Sequence, residues 1–206
     1  MPIGLSYPGL RCVLEHLDAV KRQATFKTFK IAVLQRSEKT IPLRLNYLQI
    51  YKAVTSLDDF SFDLREFNEE LQFSCDDRKT IWKRNIPQNL DTQTVENKIN
   101  QYYMGGRTSV YVKRLEVFGP HADLALPVDS KFKVTELDAK HCNFEYYLPI
   151  IDPISFPLKY LRCKLAGLHT YYYPVFRSAE SLSFNIFEEQ SEEEMICLHK
   201  LPCKTI

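Results

Sequence analysis

Val112-Lys-Arg-Leu115-Glu-Val117 is an apolar phrase that the chain goes on to repeat as Val134-Thr-Glu-Leu137-Asp-Ala139, Leu158-Lys-Tyr-Leu161-Arg-Cys163 and Ala179-Glu-Ser-Leu182-Ser-Phe184. Each copy reads apolar-x-x-apolar-x-apolar, and successive copies start 22, 24 and 21 residues apart. In an extended chain the side chains alternate, so Leu115 and Val117 point to one face while Arg114, Glu116 and Phe118 point to the other. The roughly 15 residues between copies suit a parallel crossover through a short helix that buries the apolar face.

The interval falls inside the roughly 20 to 29 residues of leucine-rich repeats, in which each unit supplies a short strand and a return segment. The expectation is an α/β fold: an irregular leucine-rich-repeat-like solenoid with parallel strands and short return helices, clearest over residues 112–184. Further upstream, Ile41-Pro42-Leu43-Arg-Leu45-Asn-Tyr-Leu48-Gln-Ile50 alternates like a strand and contains the phrase as Leu45-x-x-Leu48-x-Ile50, 67 residues before Val112. Leu198-His-Lys-Leu201-Pro-Cys203 opens the phrase once more near the end. A strand there would present an unpaired edge, so either something covers it or the chain is a shortened member of a longer design.

Between these copies the sequence punctuates itself. Phe60 to Leu64 and Leu71 to Cys75 alternate over short runs, as a hairpin or as two irregular repeats. Asp91 can cap a helix running to Met104, with Val95, Ile99, Tyr102 and Tyr103 on its apolar side, and Gly105-Gly106 ends it. The order helix, glycines, strand excludes a phosphate loop, which runs strand, glycines, helix. Gly119-Pro120 turns the chain after the first clear copy. Phe144 to Ile151 and Leu168 to Arg177 fill two return segments. The acidic run Glu188, Glu189, Glu192, Glu193 and Glu194 suits the solvated start of a last helix.

At the other end, Ser6 and Pro8 mark a helix start, and Leu10, Val13, Leu14, Leu17 and Val20 form one amphipathic stripe. Such a helix either caps the repeats or docks to a partner. The division is residues 1–40, an N-terminal helix and basic connector, and residues 41–206, the repeat-like domain. With 27 basic against 26 acidic residues, the chain lacks the basic excess of nucleic-acid modules. No apolar run approaches a membrane span and no secretory leader opens the sequence, so membrane and nucleic acid are not expected partners. Six cysteines without Cys-x-x-Cys spacing point to a reduced, intracellular setting, cytoplasmic or nuclear.

Several motifs in one order resemble the nematode F-box C-type proteins and their F-box-associated domain: Tyr7-Pro8-x-Leu10-x-Cys12-Val13-Leu14-Glu15-x-Leu17-x-Ala19-x-Lys21-Arg22, Ile41-Pro42-Leu43-x-Leu45, Gly105-Gly106-Arg107 with Val112-Lys113-x-Leu115, and Leu148-Pro149-Ile150-Ile151-Asp152 with Ser155-Phe156-Pro157-Leu158. The resemblance implies that the first helix is F-box-like, with Pro8, Leu10, Leu14 and Leu17 docking to the adaptor subunit of a cullin-type ubiquitin ligase, and that the repeat domain holds an unknown target as substrate receptor. The alternative is a truncated repeat domain that binds a protein partner without any ligase role.

Partner recognition is expected on the sheet face opposite the core. There Arg114, Glu136, Tyr160 and Ser181 form one row, and Glu116, Asp138, Arg162 and Ser183 the next. Arg114 with Glu136, and Asp138 with Arg162, can also pair across strands. Tyr171-Tyr172-Tyr173-Pro174 is either an interface cluster or rings packed under a loop. His141-Cys142 is the single thiol beside an imidazole near a strand, but neighbours on a strand point to opposite faces, which separates nucleophile from base. The five histidines show no metal-ligand spacing. The expectation is a non-catalytic interaction module without cofactor or metal.

Overall fold

The computed structural model describes residues 42–65, 70–75, 80–86, 90–119, 124–127, 130–165, 167–185 and 192–202. The N-terminal helix expected around Leu10 to Val20 therefore lies outside the described residues. The fold is mixed α/β. Nine strands form one sheet: β1 (Leu43–Tyr51), β2 (Val54–Leu57), β3 (Phe60–Arg65), β4 (Glu70–Cys75), β5 (Thr80–Asn85), β6 (Val110–Val117), β7 (Phe132–Ala139), β8 (Tyr160–Lys164) and β9 (Ser181–Asn185). Their order across the sheet is β5-β4-β3-β2-β1-β6-β7-β8-β9. Successive strands from β1 to β5 pair antiparallel, while β1, β6, β7, β8 and β9 are parallel to one another.

The repeated phrase is the register of the parallel half. Leu48 pairs with Leu115, Leu115 with Leu137, Leu137 with Leu161 and Leu161 with Leu182, so the middle leucine of every copy falls in one buried line across five strands. Beside it, Leu45, Val112 and Val134 form a second line, and Ala139, Cys163 and Phe184 belong to a third with Ile50 and Val117. The intervals read from the sequence, 67, 22, 24 and 21, are the offsets between paired residues. A slip of one residue would turn these lines to solvent, which is why the register is strongly specified.

The runs after β1 resolve as hairpins. Lys52-Ala53 and Asp58-Asp59 are two-residue turns, with Ala53 (φ 65°) and Asp58 (φ 51°) in the left-handed conformation that such tight connections require. Asp58 also accepts from the amides of Asn46 (2.7 Å) and Tyr47 (2.8 Å), the x-x pair at which β1 changes phase.

Helix α1 (Thr92–Tyr103) starts where Asp91 accepts from the Thr94 amide, as expected. Its buried stripe is Val95, Glu96, Ile99, Asn100 and Tyr103. Tyr102, expected with them, lies at the rim and is exposed, its ring edge-on to Tyr103. Asn100 donates to the Ala125 carbonyl at 2.7 Å, and Tyr103 packs on Phe60. Burial pushes the Tyr103 hydroxyl up to about 12.

The later return segments are mostly 3-10 helix: Phe144–Ile150, Pro153–Ser155 and Leu168–Tyr172, the last leading into the short α2 (Pro174–Ser178). Pro149 sits inside the first of them and lacks the amide that a longer α-helix would need. The final phrase departs from expectation. Leu198 belongs to helix α3 (Glu192–His199) rather than to a strand, and Leu198 and Leu201 pack half-buried against the core. Glu192 and Glu193 occupy the exposed first turn of α3, while Glu188 and Glu189 lie outside the described residues.

Candidate interaction surface

The face opposite the leucine line gathers the eight side chains expected there from the sequence. Tyr47, Arg114, Glu136, Tyr160 and Ser181 are successive partners in one row, and Gln49, Glu116, Asp138, Arg162 and Ser183 in the next. Pleating explains both rows, because residues paired across parallel strands point the same way. The contribution of β1, Tyr47 and Gln49, was not anticipated. The phrase beginning at Leu45 carried the signal, since the same 67-residue offset that aligns it with Val112 aligns Tyr47 with Arg114.

The pairing differs from expectation in one respect. Arg114 does not reach Glu136 opposite it but crosses diagonally, and its Nη2 donates to Asp138 Oδ2 at 2.7 Å. Arg162 Nη1 approaches the same oxygen at 3.8 Å, as expected for that pair. Asp138 is buried, and a buried carboxylate needs compensating charge far more than the less buried Glu136 does. Among the described residues Glu136 makes no ion pair. Burial works against the charge on Arg114, but the hydrogen bond and charge of Asp138 outweigh it and raise the guanidinium pKa.

Glu116 is held from two sides. The Tyr47 hydroxyl donates to Glu116 Oε2 at 2.6 Å, and Lys140 Nζ lies 3.6 Å from Oε1. Burial, and then the bond to this carboxylate, drive the Tyr47 hydroxyl pKa upward. Cations also sit over rings: Arg44 over Tyr111 at 4.6 Å, Lys140 over Phe118 at 5.3 Å and Arg114 over Tyr160 at 6.0 Å. Each such contact contributes about 0.5–1 kcal/mol at an exposed site and favours a fixed side-chain position.

One pleat beyond the two rows, Tyr51 meets Phe118 edge-on at 5.6 Å and His141 stacks on Phe118 at 5.2 Å. These rings, with Gln49, Val54 and Gly119, line a cleft of about 480 Å³. It opens where the strand ends diverge: the chain leaves β1 toward antiparallel β2 and leaves β6 toward parallel β7.

Comparison of the chain with protein-family models, with curated proteins and with solved structures finds no match. The geometry therefore stands alone.

Elsewhere the sequence candidates separate. Pro8, Leu10, Leu14 and Leu17 lie outside the described residues. Tyr171 is buried against Phe176 and Tyr173 packs edge-on to Phe144, whereas Tyr172 is exposed. The cluster is thus mainly packing. His141 turns to Phe118, while the half-buried Cys142 lies beside the Tyr147 hydroxyl, which donates to the Gly119 carbonyl at 2.6 Å. Among the described residues no group of three or more His, Cys, Asp or Glu is placed to hold a metal ion, and no helix is long and apolar enough to cross a membrane.

Proposed function

We propose that the chain is a non-catalytic protein-interaction module that recognises its partner through the outward face of the parallel half-sheet. The observation that carries this reading is the pair of side-chain rows from Tyr47 to Ser181 and from Gln49 to Ser183. Charged and aromatic groups there are held in fixed geometry by mutual contacts, over a buried leucine line that leaves the backbone little freedom. Pre-organised aromatic and arginine side chains suit recognition because less freedom is lost on binding. The five parallel strands in register also support an irregular leucine-rich-repeat-like solenoid, whose open face is ordinarily its binding face.

The resemblance of several motifs to F-box C-type proteins supports a more specific role, that of substrate receptor in a cullin-type ubiquitin ligase. In this role Pro8, Leu10, Leu14 and Leu17 dock to the adaptor subunit and the sheet face holds the target. Co-purification of the full chain with the adaptor tests it, comparing wild type with a Leu14→Asp, Leu17→Asp variant checked by circular dichroism. The expected result is retention by wild type and loss in the folded variant. Failure of wild type to bind would remove the ligase role and leave a partner-binding domain without it.

A further inference from the structure

The charge that this face presents differs from the sum of its residues. Asp138 and Glu116 have side chains only 1% and 13% exposed, whereas Arg114, Arg162 and Lys140, which contact them, are 41%, 33% and 29% exposed. The carboxylates are sunk between strands and the cations stand above them. Arg44 and Lys164 add exposed positive charge on the same half-sheet, and Lys133 is half-buried beside Tyr111. Glu136 is the remaining carboxylate of the two rows. A partner approaching from solvent therefore meets a basic surface, although the chain as a whole carries a formal charge of only +1. Among the described residues, the buried Nε atoms of Arg114 and Arg162 also have no acceptor.

We propose that this face binds an extended acidic segment of a partner protein, carboxylates over Arg114, Arg162 and Lys140, with an apolar or aromatic side chain in the cleft between Tyr51, Phe118 and His141. The proposal rests on the face being the recognition surface and adds the chemistry of what it recognises. From β8, which carries Arg162, to the β1–β6 boundary is two to three strand spacings of about 4.8 Å, which an extended chain covers in about three to five residues. The segment accordingly carries an acidic residue and a large apolar residue separated by that spacing. A nucleic acid fits less well, because Glu136 interrupts the cations along the rows and a phosphate backbone needs them uninterrupted.

Selection from a random dodecapeptide display library on the immobilised full chain tests the proposal. The best selected peptide is then titrated in fluorescein-labelled form against wild type and against Arg114→Gln, Arg162→Gln, Phe118→Ala and, as an off-face control, Lys200→Gln. The expected peptides pair Asp or Glu with a large apolar residue, bind less tightly as salt rises, and lose affinity about ten-fold or more in each face variant but not in the control. Replacing the peptide's own acids by Gln or Asn makes the same test on wild type, independently of how any variant folds. Peptides that depend on Arg114 and Phe118 yet show no acidic preference would overturn the acidic-segment proposal and leave the recognition face standing. Peptides insensitive to every face variant, or no selected binder, would overturn both. A single-stranded oligonucleotide that binds more tightly than the peptide, with the same variant sensitivity, would overturn the peptide in favour of nucleic acid.

Discussion

Asp138 Oδ2 accepts a hydrogen bond from Arg114 Nη2 at 2.7 Å while staying buried, so one carboxylate in β7 fixes a guanidinium that rises from β6. With Arg162 at 3.8 Å on the other side, the same oxygen ties three parallel strands together on the outward face.

Removing that carboxylate leaves two cations over a site that no longer compensates them. Asp138→Ala is expected to destabilise the fold by about 1.5–3 kcal/mol, the range for a hydrogen bond between charged groups, because the part-exposed Arg114 and Arg162 lose their shared acceptor but keep access to water. Glu136→Ala, which removes no ion pair among the described residues, should stay within about 0.5 kcal/mol. Urea unfolding of the two variants, read by circular dichroism, measures the difference. Similar losses in both would contradict the central place given to Asp138.

Leu137 sits at the centre of the five-leucine line and has buried partners on both sides. Leu137→Ala should cost about 3–5 kcal/mol, as for other fully buried leucines with little room to relax. The same denaturation experiment reads it, and a loss below about 1 kcal/mol would mean that the line is not the core of the parallel half.

Glu96 in α1 is buried, its Oε2 accepting from the Ala53 amide at 3.3 Å and its Oε1 without a partner among the described residues. Burial raises its pKa above the ordinary 4.5. The folded state therefore holds this proton more tightly than the unfolded state does. The stabilisation is full below the unfolded pKa and is lost as pH rises through the folded one. Glu96→Gln should accordingly raise the thermal midpoint near neutral pH, with the gain shrinking as pH falls toward 4.5. A gain that grew on acidification would have the wrong sign.

Cys163 is fully buried in β8, and desolvation pushes its thiol up to about 12. In mildly alkaline buffer iodoacetamide should modify the half-buried Cys142 and Cys197 well before Cys163, which should react only on unfolding. Peptide mapping by mass spectrometry orders the three sites. Early modification of Cys163 in the native chain would place it outside the core.

The sequence carries much of the parallel half because its information there is translational: one phrase recurs, and its intervals equal the strand offsets. Asp91 and its helix were legible for a local reason, a side-chain oxygen three residues ahead of the amide it caps. What could not be read depends on reach or on competition. Strand neighbours can be deduced from offsets, but whether Arg114 bonds the glutamate opposite or the aspartate on the diagonal depends on burial, which no offset contains. The phrase at Leu198 matches the strand pattern, yet its first leucine is taken by the preceding acidic helix. The cleft could have been inferred, since Tyr51 and Phe118 share the 67-residue offset, but its floor forms only where β2 folds back beside β1.

Site-specific photocrosslinking gives the most direct test of the outward face as the recognition surface. A photoreactive phenylalanine analogue replaces Tyr160 in the middle of the rows or, as a control, the exposed Tyr146 on the 3-10 helix after β7, in full-length chain expressed in cells. The account predicts a discrete protein adduct from position 160 that is lost when Arg162→Gln is added, and none from position 146. Adducts from position 146 alone would move recognition off the sheet and contradict it.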